Sequence, residues 1–408
     1  MKKFLKNFIL NNGIWVGSAV LISKVSALLL VIMATNFLQK QAFGEVSSAI
    51  NFLGFFSAMT GFGSYQGMLR FGAMINEDEK EKLRAYSFSY GLLFQLLLTV
   101  VMVVIAAFVY QNEWSLFQLI AIFTIRFFGI FLLEQAKAEA RAYFNNKKYA
   151  LIDIVASLAM LFSGVLLIYV LGKDGYVWAL CFSPFIVFLI HRFRVNFGKI
   201  DFSTFKEKEF WNFSITTVAG TQIGEWIYLL DIFFITLLLN GNAVADYRVS
   251  NTIPMNLLFI AYVFLQTGYP ELCKRYQDKV FQKNYLFNYF KTLLPVSLII
   301  LFLGFVFSND LMLLFGKQYS NSSLFRVLLV GAVSVILIRA PFTYVLAALG
   351  KPKWNLMISI IMFCLLTMLY YVLIPIYGLI GVAFISFFGL VFSGILYVLA
   401  YLYELKRI

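Results

Sequence analysis

The chain has 408 residues, 61% hydrophobic and 13% charged, with a formal net charge of +13. That composition argues for a many-spanning membrane protein. The basic residues are scattered over short segments with acidic neighbours, which argues against a nucleic-acid surface and for contact with anionic lipid. Three widely spaced cysteines (Cys181, Cys273, Cys364) and a lone histidine, His191, read as an interfacial residue, leave no pattern for a metal cluster or a histidine-based catalytic site.

Twelve apolar runs follow one another, at about 12–37, 46–69, 86–110, 115–136, 149–171, 176–191, 210–239, 247–272, 288–308, 323–349, 354–374 and 379–403. Most reach the ~20 residues that a helix needs to cross ~30 Å of hydrocarbon. The first is too long for a cleavable signal and lacks a small-residue cleavage site, so it reads as a retained helix. With the connecting segments assigned alternately inside and outside, 25 of the 33 Lys and Arg fall inside, and only Lys40, Lys173 and Lys317 fall outside. Basic residues favour the cytoplasmic side, so the expected topology is twelve spans with both termini cytoplasmic. In the first large inner loop, Asn76 followed by Glu79 reads as a helix N-cap.

The outer connections are short, such as Gln111-Asn112-Glu113, Gly172-Lys173-Asp174-Gly175 and Asn240-Gly241-Asn242, and the longest spans about fifteen residues near 308–322. None has room for a domain, so the chemistry lies between helices. The basic inner loop at 192–208 divides the runs six and six, giving an amino-terminal lobe at 1–198 and a carboxy-terminal lobe at 199–408. Six spans per half give both halves one orientation, a parallel repeat. A gapless shift of 201 residues supports it: Leu38 falls on Leu239, Glu45 on Asp246, and Lys24 on Glu225.

Charges at bilayer depth cost at least ~2.5–3.5 kcal/mol each and usually face a bundle interior or a wet cavity. Lys24, Arg126 and Arg339 are central in their runs, and Glu225 and Asp231 share the seventh. Arg248 and Arg326 lie near outer helix ends, where they snorkel; Glu134 and Asp153 lie toward inner ends and read as interfacial. These charges either pair internally or line a polar interior, and their number favours the interior. Lys24 and Arg126, the central cations of the amino-terminal half, favour an anionic ligand such as a phosphate. The candidate substrate-binding set is Lys24, Arg126, Arg248, Arg339, Trp226 and Gln222, the last two suited to sugar faces and hydroxyls. Glu225 and Asp231 are the candidate coupling or gating residues. The matched depths of Lys24 and Glu225 suggest a gate in which an incoming anion competes with Glu225 for Lys24.

Several stretches resemble polysaccharide flippases of the multidrug/oligosaccharidyl-lipid/polysaccharide exporter superfamily. They are Phe43-Gly44-Glu45 through Gly61-Phe62-Gly63 to Arg70; Leu314-Phe315-Gly316-Lys317-Gln318-Tyr319; Asp231-Ile232-Phe233-Phe234-Ile235; and the closing Gly350-Lys351-Pro352-Lys353 with Leu373-Ile374-Pro375-Ile376-Tyr377-Gly378-Leu379-Ile380-Gly381-Val382-Ala383. Val382 departs conservatively from the alanine usual there. The resemblance implies an all-α membrane fold of twelve helices, two six-helix lobes arranged as a V around a central cavity. It implies a non-enzymatic flippase without cofactor or metal. Such a protein moves undecaprenyl-diphosphate-linked oligosaccharide across the bacterial inner membrane by alternating access, for O-antigen, capsule or exopolysaccharide synthesis. Its partners would be the lipid-linked oligosaccharide, membrane lipids and polysaccharide assembly proteins, with no nucleic acid. A cation-coupled multidrug exporter of the same fold remains an alternative, kept open by Glu225 and Asp231. A membrane polymerase or ligase is another, weakened by the absence of a large outer loop.

Reporter fusions test the topology. Fusions at Asn112 and Asn242 are expected to report the outside, and fusions at Lys147 and Lys279 the inside; a reversed or mixed pattern rejects it.

Overall fold

In a computed structural model of the chain, residues 13–198, 205–319 and 322–407 are described. The expected lobe boundary at 198/199 and the three lysines before the first run lie at the edge of these residues or outside them. The chain divides into two compact units, Met1–Gln222 and Ile223–Ile408.

The first unit holds α1 (Gly13–Phe37), α2 (Lys40–Ser57), α3 (Ser64–Gly72), α4 (Glu77–Val109), α5 (Trp114–Ala142) and α6 (Asn146–Phe182). It also takes most of α7 (Glu207–Trp226), inside whose last turns the unit boundary falls. The second unit holds α8 (Leu230–Leu238), α9 (Gly241–Lys274), α10 (Lys279–Val306), the short α11 (Ser308–Leu313), α12 (Ser322–Ser334), α13 (Ala340–Ala348) and α14 (Pro352–Arg407). Among the described residues, eight helices are long and apolar enough to cross a membrane, or nine if the bent pair α7/α8 counts as one span.

Two elements are far longer than a bilayer is thick. As a straight rod the 56-residue α14 would extend over ~80 Å at ~1.5 Å per residue. Instead it is a helical hairpin turning at Gly378, whose φ of 58° and ψ of −145° suit only glycine. The contacts straddle that residue symmetrically. Glu404 accepts the Trp354 indole N–H at 2.8 Å and pairs with Lys351 at 3.2 Å. A Cβ at Gly389 would lie 2.7 Å from the Leu366 side chain. α6 turns likewise at Gly172, with φ 60° and ψ −128°, and the backbone of Gly175 packs against the Leu167 carbonyl. These are the turns expected between the fifth and sixth runs and between the last two.

Residues expected on one side are brought together. The outer pair Glu45 and Lys173 forms an ion pair. Asn76 caps α4 as expected, its Oδ1 accepting the Glu79 N–H at 2.9 Å. The inner segments meet at Glu139, which lies 2.7 Å from both Arg84 Nε and His191 Nε2. Arg194 and the Tyr143 hydroxyl both reach Glu81 at 2.8 Å. His191 is buried, and the irregular segment after the sixth run packs against α4, where Asn196 N–H donates to Ser89 Oγ at 2.7 Å. Glu134 and Asp153 are likewise drawn into a shared pair with Lys137, at 2.8 and 3.3 Å.

The hairpin turn can be tested by backbone strain alone, since nothing lies within 4 Å of a Cβ built at Gly378 or at Gly17 in α1. Gly378→Ala is expected to destabilise by ~1–3 kcal/mol. Gly17→Ala, in ordinary helical backbone, is expected to be neutral or to stabilise by up to ~1 kcal/mol. Thermal unfolding in detergent measures both.

Candidate functional site

Two helical runs are interrupted, and polar residues gather at the breaks. In the first unit, α2 stops at Ser57 and α3 starts at Ser64, with a tight turn over Thr60–Gly63. Gly61, Phe62 and Gly63 are left-handed in succession (φ 55°, 47° and 76°). Cβ atoms at the two glycines would lie 2.6 Å from the Phe131 ring and from the Ser214 carbonyl, so space as well as φ demands glycine there. Phe62 accepts a left-handed penalty of ~1–2 kcal/mol.

Such a break frees backbone groups where no water can satisfy them. Gln95, fully buried on α4, accepts the Thr60 hydroxyl at 2.8 Å and the Gly61 N–H at 2.9 Å, while its amide donates to the Phe127 carbonyl at 3.3 Å. Gln222 on α7 accepts the Ala58 N–H at 2.9 Å and donates to the Gly54 carbonyl at 3.0 Å. The Tyr65 hydroxyl donates to the Ala58 carbonyl at 3.1 Å. Gln135 completes the layer, accepting from Ser64 at 3.3 Å and donating to Ser87 at 2.8 Å. The amide of Gln222, expected to meet a sugar, is thus turned onto the break of its own unit and is 1% exposed.

The second break separates α7 from α8 at residues 227–229, with a bend of 55°. Asp231 lies in the first turn of α8, where a carboxylate offsets the exposed N–H groups of a helix start. It is 1% exposed. Its Oδ1 accepts the Ile232 N–H at 2.7 Å, and its Oδ2 accepts the Tyr247 hydroxyl of α9 at 2.6 Å. Ser386 Oγ of α14 lies 3.0 Å from that same hydroxyl. Arg248 is an electrostatic neighbour of Asp231 without an ion pair.

Arg339 lies in the same unit. It ends a π-helical turn, Val335–Arg339, between α12 and α13, and Pro341 follows. Tyr289 braces the turn by donating to the Ile336 carbonyl at 2.7 Å. The guanidinium is buried, 4.9 Å from the centroid of the Tyr228 ring, and Tyr228 belongs to the break itself. Glu225 is exposed one turn earlier, and Trp226 packs its ring on Phe363 at 5.5 Å.

The first-unit cations are placed differently. Lys24 is exposed on α1. Arg126 on α5 donates through Nη1 to the Leu180 carbonyl across the bundle. No hydrogen bond or ion pair joins Lys24 to Arg126 among the described residues. Nor does any of Lys24, Arg126, Arg248 and Arg339 form an ion pair with a carboxylate there, whereas the inner and outer ends are laced with pairs such as Arg84–Glu139 and Lys173–Glu45. Sequence reasoning missed Gln95, Gln135, Tyr247 and Ser386. The Gly61-Phe62-Gly63 triplet was the available signal for the first break; the second, at Ile227-Tyr228-Leu229, has no glycine or proline to announce it.

A family model described as polysaccharide biosynthesis protein matches residues 32–324. Among solved structures, an inward-facing multidrug resistance MATE family transporter of the MOP superfamily superposes with a TM-score of 0.72 at 14% identity, covering 94% of this chain and 95% of its own. The lipid II flippase MurJ, in an inward closed conformation, gives a TM-score of 0.72 at 14% identity, covering 94% and 86%. A MOP superfamily transporter from Pyrococcus furiosus, described as having a binding pocket of reverse polarity, gives 0.60 at 14% identity, covering 98% and 95%. At such identities the likeness shows the fold alone, which among the described residues is helical without strands. No curated protein matches the chain.

The Asp231–Tyr247 bond is testable by a double-mutant cycle. Tyr247→Phe is expected to lower stability by ~1–3 kcal/mol, since it strips a donor from a buried carboxylate. Combining it with Asp231→Asn is expected to cost less than the sum of the single effects by ~0.5–3 kcal/mol, as read from thermal unfolding in detergent.

Proposed function

The chain belongs to the polysaccharide biosynthesis protein family, and from that premise we propose that it is a flippase for undecaprenyl-diphosphate-linked oligosaccharide in the bacterial inner membrane. The observation that carries this reading is the set of unpaired cations. Lys24, Arg126, Arg248 and Arg339 sit within apolar helices of a transporter fold, and none is ion-paired to a carboxylate among the described residues. Of these only Arg339 is buried and Lys24 is exposed; cations whose only work was to hold the bundle together would be paired within the protein, because a charge at bilayer depth without a partner is costly. Left unpaired, they form a standing attraction for a mobile anion. The diphosphate of a lipid-linked sugar supplies such an anion and cannot cross hydrocarbon without one.

Each arm of the two hairpins and each broken helix, counted once, supports twelve spans; the reading takes them as lobes at 1–198 and 199–408 with both termini cytoplasmic. Lys24 and Arg126 receive the diphosphate. Arg248, Arg339 and Trp226 serve the glycan, while Gln222 acts on it indirectly by holding the first break. Transport is by alternating access and breaks no covalent bond, so the chain is not an enzyme. Asp231 couples the cycle to cation or proton movement: protonation removes the charge that strengthens its bond to Tyr247 and so loosens α9 and α14 from the α8 start. Glu225, exposed one turn before the break, gates the same region. The exported glycan is O-antigen, capsule or exopolysaccharide, and polysaccharide assembly proteins receive it.

A cation-coupled multidrug exporter is the second reading, favoured by Asp231 and Glu225 and by the likeness to the MATE fold. The unpaired cations weigh against it, since they would repel a cationic drug.

Reconstituted vesicles decide between the readings. Labelled undecaprenyl-diphosphate oligosaccharide is expected to become accessible to an impermeant reagent at a rate that falls at least tenfold in Lys24→Ala and Arg126→Ala, with Lys24→Arg retaining more than Lys24→Ala. Normal rates in both alanine variants at normal protein levels would reject the anion site; extrusion of a lipophilic cation in place of the glycolipid would favour the exporter.

A further inference from the structure

His191 is the only histidine of the chain, and neither break uses it. It is 3% exposed, at the start of the irregular segment after the sixth run. Its Nε2 lies 2.7 Å from an oxygen of Glu139, a carboxylate that is itself 2% exposed, and Arg84 Nε lies 2.7 Å from the same oxygen. The other ring nitrogen, Nδ1, is buried without a hydrogen-bond partner. Every element packed around the imidazole contributes charged or titratable groups: Arg84 and Glu81 from α4, Glu139 and Tyr143 from α5, the Tyr149 ring from α6, and Arg192 and Arg194 from the segment itself.

The charges balance only while the imidazole is neutral. Arg84 and Arg194 then face Glu139 and Glu81, and Nε2, so close to a carboxylate oxygen, carries the single ring proton. Protonation puts a third cation among these four groups, with Arg84 Nη2 only 3.4 Å from the ring. It also turns Nδ1 from a bare acceptor into a buried donor with no acceptor, an arrangement that folded proteins avoid. Arg84 is where the strain falls, because it holds Glu139 and also donates to the Arg192 carbonyl. The same segment is tied to α4 by Asn196 N–H on Ser89 Oγ at 2.7 Å and by the Tyr90 hydroxyl on the Phe197 carbonyl at 3.0 Å. A permanent tie needs no titratable group, and the first break is held by glutamine amides; this segment is held through a histidine.

We infer that His191 is the pin of a pH-sensitive latch: with a neutral imidazole it holds residues 191–197 against α4 and α5, and protonation releases them. The latch lies wholly in the first unit. It is independent of the flippase reading, because it concerns how this segment is held and not what is carried.

The test uses the full chain in lipid nanodiscs, without a histidine tag and with carbon-13 at histidine Cε1. As the sole histidine, His191 gives one resonance whose shift reads its protonation directly. Tryptic cleavage after Arg192 and Arg194, both exposed, is followed in parallel by mass spectrometry, with cleavage after the exposed Arg275 of the second unit as internal reference. From about pH 8 to about pH 5.5, the range in which imidazole titrates, the resonance is expected to shift in one step and the cleavage ratio to rise about fivefold or more along that step. His191→Gln keeps an amide donor for Glu139 but takes up no proton, so its ratio is expected to stay flat. Should that variant not fold, the two curves of the native chain decide alone. A flat ratio while the resonance titrates would overturn the inference in favour of a structural imidazole. A ratio that rises with no shift of the resonance, or that rises equally in His191→Gln, would overturn it in favour of another titrating group.

Discussion

Hydrocarbon offers no partner to a free N–H or C=O, and this chain interrupts two of its apolar helical runs, at 58–63 and at 227–229. Each unsatisfied group costs several kcal/mol in an apolar medium. The break between α2 and α3 is repaired by glutamine, because a side chain that is both donor and acceptor can close a carbonyl and an N–H together, as Gln222 does with Gly54 and Ala58. The break between α7 and α8 is repaired by local turns, with Tyr228 N–H on the Glu225 carbonyl and Leu229 N–H on the Trp226 carbonyl, and by Asp231 at the new helix start. Unwound backbone is tolerated at membrane depth only under such protection, and transporters use it where something must bind or move.

The two repairs have different chemical consequences. The amide layer of Gln95, Gln135 and Gln222 carries no charge and does not titrate, so it fixes the first break over the whole pH range. The second break is held through an acid. Asp231 is tied to two other helices by one hydroxyl, Tyr247, with Ser386 behind it. A structure with one permanent and one titratable repair has a natural place for coupling, and it lies in the second unit.

Much of this was legible in the sequence. The long apolar helices and the Asn76 cap follow from hydropathy and local spacing, which are properties of neighbouring residues. The turns at Gly172 and Gly378 were visible as short polar or glycine-marked gaps between runs. What escaped depends on residues far apart in the chain. Gln95 and Gln135 look like isolated polar residues until the break that they serve is placed beside them. His191, beside two arginines, read as interfacial because its partner Glu139 is 52 positions away. Gln222 read as a sugar ligand for the same reason: its partners lie in α2. The triplet Gly61-Phe62-Gly63 could have disclosed the first break, but Tyr228 could not have disclosed the second, which is imposed by packing.

Hydrogen–deuterium exchange of the full chain in nanodiscs reaches the central constraint directly. The amides of Ala58 and Gly61 lie in an unwound segment, and exchange there reports whether glutamine side chains truly close it. Slow exchange is expected in the native chain, comparable to the flanking helices, with Gln95→Leu speeding exchange at Gly61 and leaving α1 unaffected. Fast exchange at Ala58 and Gly61 in the native chain would contradict it, since the break would then be open to water rather than repaired by the protein.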